Sequence, residues 1–236
     1  MTVSIHQPHF LPWLGYFNKV WNSEVFVWLH NVQFRKNYFQ NRTKLKNPHT
    51  QQEFWLTVPV RASLGTPIDA VEQVNDRWRI PMAKTLEQFY KKTPYFHEIG
   101  AELMEVLLTC DANLDRMNYQ LFEFLLGKLE YRGRLVRVSE LLPLDEEPNQ
   151  RLIDICKKLN ATCYIAGKGG KNYINTEQWH KSGIELIWQD FKSEGVVYPQ
   201  PGDSFIPGLS IVDCLFNTGI AETRKLIIEP WQWKKK

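Results

Sequence analysis

The 236 residues, 43% apolar and 23% charged, show ordinary globular usage, which excludes a disordered chain. A net charge of +3 does not call for a nucleic-acid partner, and no run approaches the roughly 18 apolar residues of a membrane span. The opening MTVSIHQPHF has neither a basic n-region nor a long apolar run, so it is not read as a signal peptide, and a cytoplasmic protein without stable membrane insertion is expected.

Length suits a single domain over residues 1–236, with or without an insertion. Residues 3–5 read as a short buried strand. A loop rich in proline and aromatics follows, and Pro12 suits the start of a short helix running through Gly15 to Trp21. Residues 24–29 (EVFVWL) form a second strand whose continuous apolarity suggests burial on both faces, as in a parallel sheet. Residues 53–60 (EFWLTVPV) form a third, ending near Pro59. Helical spacing then recurs three times. Met82, Leu86, Phe89 and Tyr90 follow Pro81; Phe96, Ile99, Leu103 and Leu107 come next; Leu114, Met117, Leu121, Leu125 and Leu129 are last, with Asn113 or Asp111 as cap. Residues 76–131 are therefore expected as a helical insertion or cover. Strand and helix alternate again: strand 135–138, the helix of Leu152, Ile155, Cys156 and Leu159, strand 162–166, helix 176–181, strand 184–188, and a helix 210–216 stopped near Gly219. This order predicts an α/β fold, a mostly parallel sheet with helices on both faces in a Rossmann-like three-layer arrangement. Lys234 to Lys236 read as a solvated tail.

Ligands of open α/β sheets bind outside the carboxyl ends of strands. His6 and Gln7 follow the first strand; His30, Asn31 and Gln33 follow the second; Lys168 follows strand 162–166. Convergence of these groups on one edge is the expected site. Pro8 and Pro12 restrict the loop that carries His6, and a neutral histidine serves as acid or base near pH 7. His9 is read mainly as a histidine bonding its own turn. A metal pair of His6 and His9 has no carboxylate cluster to complete it. Arg35, Lys36, Arg42 and Lys44, mixed with Tyr38 and Phe39 and followed by Gln40 and Asn41, suit an anionic ligand or a solvated hairpin. Gly167-Lys168-Gly169-Gly170-Lys171 is either a phosphate cradle or a flexible turn, and lacks Walker A spacing. Asp213 stands three residues after Ser210, at a capping-box spacing. Cys110, Cys156, Cys163 and Cys214 form no C-x-x-C pair and read as buried thiols. No metal and no cofactor are assigned.

IHQPHFLPWLGYF at 5–17, FVWLHNVQF at 26–34, QNRTKLK at 40–46, WLTVPV at 55–60, YIAGKGGKNY at 164–173 and FIPGLSIVDCLFNTG at 205–219 resemble the WbqC-like protein family nearly end to end. The resemblance implies His6, Gln7, Pro8, Trp13, Gly15, Asn41, Arg42, Gly167, Tyr173 and Asp213 as family positions. It also implies a bacterial pathway of O-antigen or other surface polysaccharides, in which a glycyl or other acyl transfer has been proposed. The family pattern carries an acidic pair where this chain has His30-Asn31, which implies a changed substrate or a lost activity. His6-Gln7-Pro8-His9 is only a weak analogue, of fold, to the H-x-G-H of nucleotidylyltransferases.

Three functions follow as expectations. The leading one is an acyl or aminoacyl transferase acting on an amino sugar, free or nucleotide-linked. There His6 takes the amine proton, Gln7 and Asn31 donate to the oxyanion, Arg42 and Lys168 hold phosphate or carboxylate, and Asp213 orients a partner. Trp13, Tyr16, Gln33, Asn41 and Tyr173 would bind substrate. The alternatives are a non-catalytic nucleotide-sugar-binding or scaffold subunit of the same pathway, and a nucleotide-dependent ligase. Small molecules, not nucleic acid, are the expected partners.

Overall fold

Strand β1 (Thr2–His6) is apolar on one face and small or polar on the other, and a parallel sheet buries both. It pairs with β2 (Val25–Trp28) on one side and β8 (Cys163–Ala166) on the other. β7 (Arg134–Arg137) extends the sheet beyond β2, and β9 (Glu185–Trp188) extends it beyond β8, all in parallel. The computed structural model describes residues 1–228 and the backbone of residues 234–235. That last pair, β10 (Lys234–Lys235), runs antiparallel to β9. The expected lysine tail is thus corrected for Lys234 and Lys235, whose backbone continues the sheet; Lys236 lies outside the described residues. Taken in chain order, the five parallel strands stand 3-2-1-4-5, counted from β7 to β9.

Helices cover both faces. Val3, Ile5, Val25 and Val27 point to the layer formed by α5 (Pro148–Lys158) and α6 (Thr176–Ser182). Phe26 and Trp28 point to the opposite layer. There they meet Phe17 of α1 (Leu14–Trp21) and Phe122 of α4 (Leu114–Lys128), with Trp28 stacked on Phe122 at 5.0 Å between centroids. Asn113 caps α4 by accepting from the amides of Asp115 and Arg116. Asp115 in turn accepts from Trp28 Nε1 at 2.7 Å and from Arg137, so a buried carboxylate ties α4 to β2 and β7. In the segment expected as an insertion, α4 lies directly on the sheet. Helix α3 (Phe96–Thr109) packs on α4, and α2 (Arg79–Tyr90) packs on α3.

The third expected strand leaves the main sheet. β4 (Glu53–Thr57) pairs antiparallel with β3 (Arg42–Lys46), a segment that the sequence offers as an anion-binding stretch or a solvated hairpin. Thr43 and Leu45 are buried, whereas Arg42 and Lys44 lie over the Trp55 ring across the hairpin at 4.1 and 5.3 Å. The cations therefore cover an aromatic face. Two further short strands, β5 (Val60–Arg61) and β6 (Glu72–Gln73), pair with each other.

The last helix also differs from expectation. α7 (Ile211–Ile228) breaks at Gly219, with φ 80 and ψ 169, and resumes beyond it. Glu98 accepts from the Ile220 amide at 2.9 Å and so caps the second segment, while Asn18 donates to Ile227 O at 2.8 Å. This backbone region is essentially restricted to glycine. A Cβ on Gly219 would stand 2.7 Å from Tyr95 Cδ1. Gly219→Ala is expected to lose about 2–4 kcal/mol in urea denaturation; wild-type stability would mean that the break does not depend on the glycine.

Candidate functional site

The β1 to β2 crossover places α1 on one face, and the β7 to β8 crossover places α5 on the other. The connections leave in opposite directions between β1 and β8, so a crevice opens at the carboxyl ends of these strands. Two adjoining clefts of about 370 Å³ each occupy it. His6, Lys19, Tyr38, Gly167 and Gly169 line both and form the wall between them. Gln7, Arg35, Asn172 and Tyr173 belong to the first cleft; His9, Trp13, Tyr16 and Lys168 belong to the second.

His6 is the last residue of β1. Its Nδ1 lies 2.9 Å from Gln7 O. A carbonyl only accepts, so this contact places the ring proton on Nδ1 and leaves the Nε2 lone pair without a protein partner. Burial, with smaller contributions from His9 and Lys19, holds the His6 pKa well below its ordinary value. The ring is therefore neutral at pH 7 and its Nε2 can accept a proton. Gln7 is fixed as well: its Oε1 accepts from Gln40 Nε2 at 2.9 Å, and Gln40 Oε1 accepts from the Arg35 amide at 2.7 Å. This arrangement leaves the Gln7 amide N–H groups available to the cleft.

His9 is 4% exposed and neither of its ring nitrogens has a partner. Its ring lies 4.7 Å from that of His6 and stacks on Phe39 at 5.6 Å. Burial, and then Lys19, lowers its pKa to about 3. Lys19 comes from α1, is 3% exposed, and donates to Ile5 O at 2.7 Å. Burial lowers its pKa to about 7.

The structure brings His6, Gln7, Trp13, Tyr16, Lys168 and Tyr173 together around this crevice and places the other candidates elsewhere. Past β2 the backbone turns away to pair with residues 66–68 through the Phe34 and Ile68 amides. Asn31 and the exposed Gln33 therefore lie outside both clefts. His30 is held by Asp69 and Ser139 at 3.2 and 3.3 Å. Asn41 donates to Val58 O at 2.8 Å and lines a separate cavity beside the hairpin. Arg42 lies over Trp55 and donates to Asn37 O. Asp213 is fully buried in the core, where Tyr90 and Tyr198 donate to its two oxygens at 2.7 and 2.8 Å. Burial lifts its pKa to about 6.

The GKGGK segment is a 3-10 turn over Lys168–Asn172, packed through Gly170 against Ile174 and Trp188. Cys214 is buried, with its thiol raised to about 11 by burial. Among the described residues, no group of three or more His, Cys, Asp or Glu side chains is placed to hold a metal ion, and no helix is long and apolar enough to cross a membrane. Arg35 and Tyr38, which the sequence offers as part of an anion-binding segment or a solvated hairpin, line the first cleft and both clefts respectively. The cleft residue that the sequence does not single out is Lys19, and His9, expected to bond its own turn, has both ring nitrogens without a partner. Lys19 shares one side of α1 with Gly15 and Asn18, a pattern that reads as a solvated face, yet the structure buries all three.

Because the histidines have depressed pKa values, the unfolded chain binds their protons first. Their contribution to stability is complete above about pH 6.5 and is lost as pH falls, for His9 towards about 3. Asp213 acts in the opposite sense between its unfolded value of 3.8 and about 6, where the folded carboxyl takes up the proton first. Comparison with a variant removes that common contribution. Between pH 7 and pH 5, wild type should lose about 2 kcal/mol more than His9→Gln in denaturant titrations; parallel curves would show that the folded state does not keep His9 neutral.

A protein of Mycobacterium tuberculosis described as "Uncharacterized protein Rv1507c" is 28% identical to this chain over 225 residues, covering 92% of this chain and 94% of its own length. No solved structure matches the chain. The WbqC-like protein family matches residues 7–225, nearly the whole polypeptide, and the protein belongs to that family.

Proposed function

We propose that the chain is a transferase that moves an acyl or aminoacyl group, such as glycyl, onto the amine of a nucleotide-linked amino sugar in surface-polysaccharide synthesis. The observation that carries this reading is His6: a neutral imidazole of fixed tautomer, with its Nε2 open on the wall shared by two clefts. Two clefts meeting at one base suit a reaction that joins two substrates. The family resemblance supports the pathway, and the cations Arg35 and Lys168 in the clefts support a substrate that carries phosphate.

In this mechanism the amine nitrogen attacks the acyl carbonyl of an activated donor and a C–N bond forms. His6 Nε2 accepts the amine proton, the carbonyl oxygen becomes an oxyanion, and the Gln7 amide donates to it. The tetrahedral intermediate collapses, the bond from carbon to the leaving group breaks, and His6 returns the proton to the leaving group. Asn31 stands outside both clefts, so oxyanion stabilisation falls to Gln7. Trp13 and Tyr173 supply apolar and hydroxyl surface for the sugar, while Tyr16, buried with its hydroxyl donating to Gln7 O at 3.0 Å, holds the backbone beside His6.

The test is incubation of the purified protein with nucleotide-linked amino sugars and acyl or aminoacyl donors, read by mass spectrometry. Wild type should add one acyl mass to one sugar, and His6→Gln should slow turnover about 10²- to 10⁴-fold while still binding the nucleotide sugar. No mass shift across the donor and acceptor panel, or full activity in His6→Gln, would refute the assignment.

A further inference from the structure

Lys19 is a buried ammonium group without a counter-ion. Among the described residues no carboxylate stands within 4.0 Å of it; its one polar partner is Ile5 O. The titratable and charged groups around the two clefts are His6, His9, Tyr16, Tyr164, Tyr38, Tyr173, Arg35 and Lys168. None is acidic. The Lys19 Nζ lies 5.9 Å from the Tyr164 ring centre, and a Cβ on Gly167 would come within 3.9 Å of it, so the ammonium sits directly under the backbone that leaves β8. Burying a cation without an anion is costly, and beyond the bond to Ile5 O no carboxylate among the described residues offsets it.

A second observation points to the same place. His9 is buried and lines the second cleft with two unpartnered nitrogens. A neutral imidazole carries one N–H, and here that donor has no acceptor. An ammonium with two N–H groups beyond its bond to Ile5 O, and an imidazole N–H that lacks an acceptor, on a wall with one further cation in each cleft and no lining carboxylate, describe a receptor for an anion with more than one charged centre.

We propose that Lys19, flanked by Arg35 in the first cleft and Lys168 in the second, anchors the diphosphate of a nucleotide-linked substrate across the wall between the clefts. The assignment rests on the reading of this site as one that binds a nucleotide-linked sugar, but it does not require acyl transfer. It makes the binding of this dianion a proton-coupled event. Above about pH 7 free Lys19 is largely neutral, and a bound dianion favours the ammonium form, so binding takes up a proton and affinity falls as pH rises, by at most about tenfold per pH unit.

UDP-glucose is a suitable probe because its diphosphate diester keeps the same charge across this range and it has no amine to be acylated. Calorimetry of the full chain in two buffers of different ionisation enthalpy, at about pH 6.5 and about pH 8.5, reads both affinity and proton uptake. Wild type should bind with uptake approaching one proton at the higher pH and much less at the lower. Lys19→Met should bind at least about tenfold more weakly at the lower pH and take up no proton. Lys19→Met also removes an unpaired buried charge, so it should melt higher than wild type without ligand, which separates lost binding from lost folding. Failure of wild type to bind UDP-glucose overturns the proposal, as does unchanged affinity or proton uptake in Lys19→Met. Proton-coupled binding by a protein that transfers no acyl group would retain the anion site and remove the transferase assignment instead.

Discussion

The structure is organised by the position of its first strand. β1 is inserted between β2 and β8, with every backbone pairing parallel. A parallel neighbour cannot be reached by a tight turn, so each connection must cross a face of the sheet. With α1 on one face and α5 and α6 on the other, the chain segments leaving β1 and β8 diverge. The crevice between His6 and Gly167 is what that divergence leaves open. The same geometry sets the chemistry of its floor: α1 lies against β1 closely enough for Lys19 Nζ to reach Ile5 O, so a lysine that any exposed helix would send into water is instead delivered beneath the site.

The walls depend on parts of the chain far away in sequence. Leu11 adopts a positive φ of 42, a conformation that costs of order 1 kcal/mol or more for such a residue. Its carbonyl accepts from Thr43 Oγ1 at 3.0 Å and from Ser210 Oγ at 2.7 Å, and the neighbouring Pro12 O accepts from the Ile211 amide at 2.7 Å. Phe10 is tied to Phe39 O at 2.8 Å. The β3–β4 hairpin and the start of α7 thus clamp the loop that holds His6 and His9. This explains in physical terms why the opening and closing motifs are informative together: the segments at 5–17 and 205–219 touch, and each holds the other's strained or unpaired backbone. Ser210 serves this clamp and Asp213 is a core acceptor for two tyrosines, so a polar motif that reads as chemistry is largely architecture.

Legibility in the sequence followed the same division. Continuous apolar runs such as VFVW at 25–28 signal burial on both faces and identify the parallel sheet, and the spacing of Leu114, Met117, Leu121 and Leu125 identifies α4 with its Asn113 cap. Strand ends direct attention to His6, Gln7 and Lys168, which the structure brings together around the crevice. They fail for Asn31 and Gln33, because a strand end marks a site only where the crossovers diverge, and strand order is not written in local periodicity. β3 is missed because RTKLK alternates weakly and its long cations reach an aromatic ring in the opposite strand, a pairing visible only once the register of Lys44 against Trp55 is known. Lys19 escapes notice for the converse reason: periodicity treats a lysine as the exposed side of a helix.

Burial affects His6 and Lys19 in opposite ways that suit one another. A dry environment disfavours charge on either group. For His6 the result is useful as it stands, since a neutral ring whose Nδ1 proton is committed to Gln7 O presents a basic Nε2 at any pH near neutrality. Lys19 in the same environment is left half-protonated near pH 7 without an anion beside it. When a dianion arrives, the lysine gains its proton, and the positive charge that would otherwise bear on His6 is cancelled by the ligand. In the proposed mechanism His6 therefore stays neutral through binding, and its readiness as a base depends on the tautomer set by the Gln7 carbonyl. Exchange of Lys19 for a permanently charged residue would keep the attraction for the anion, but in the empty site it would place on His6 a field that nothing relieves.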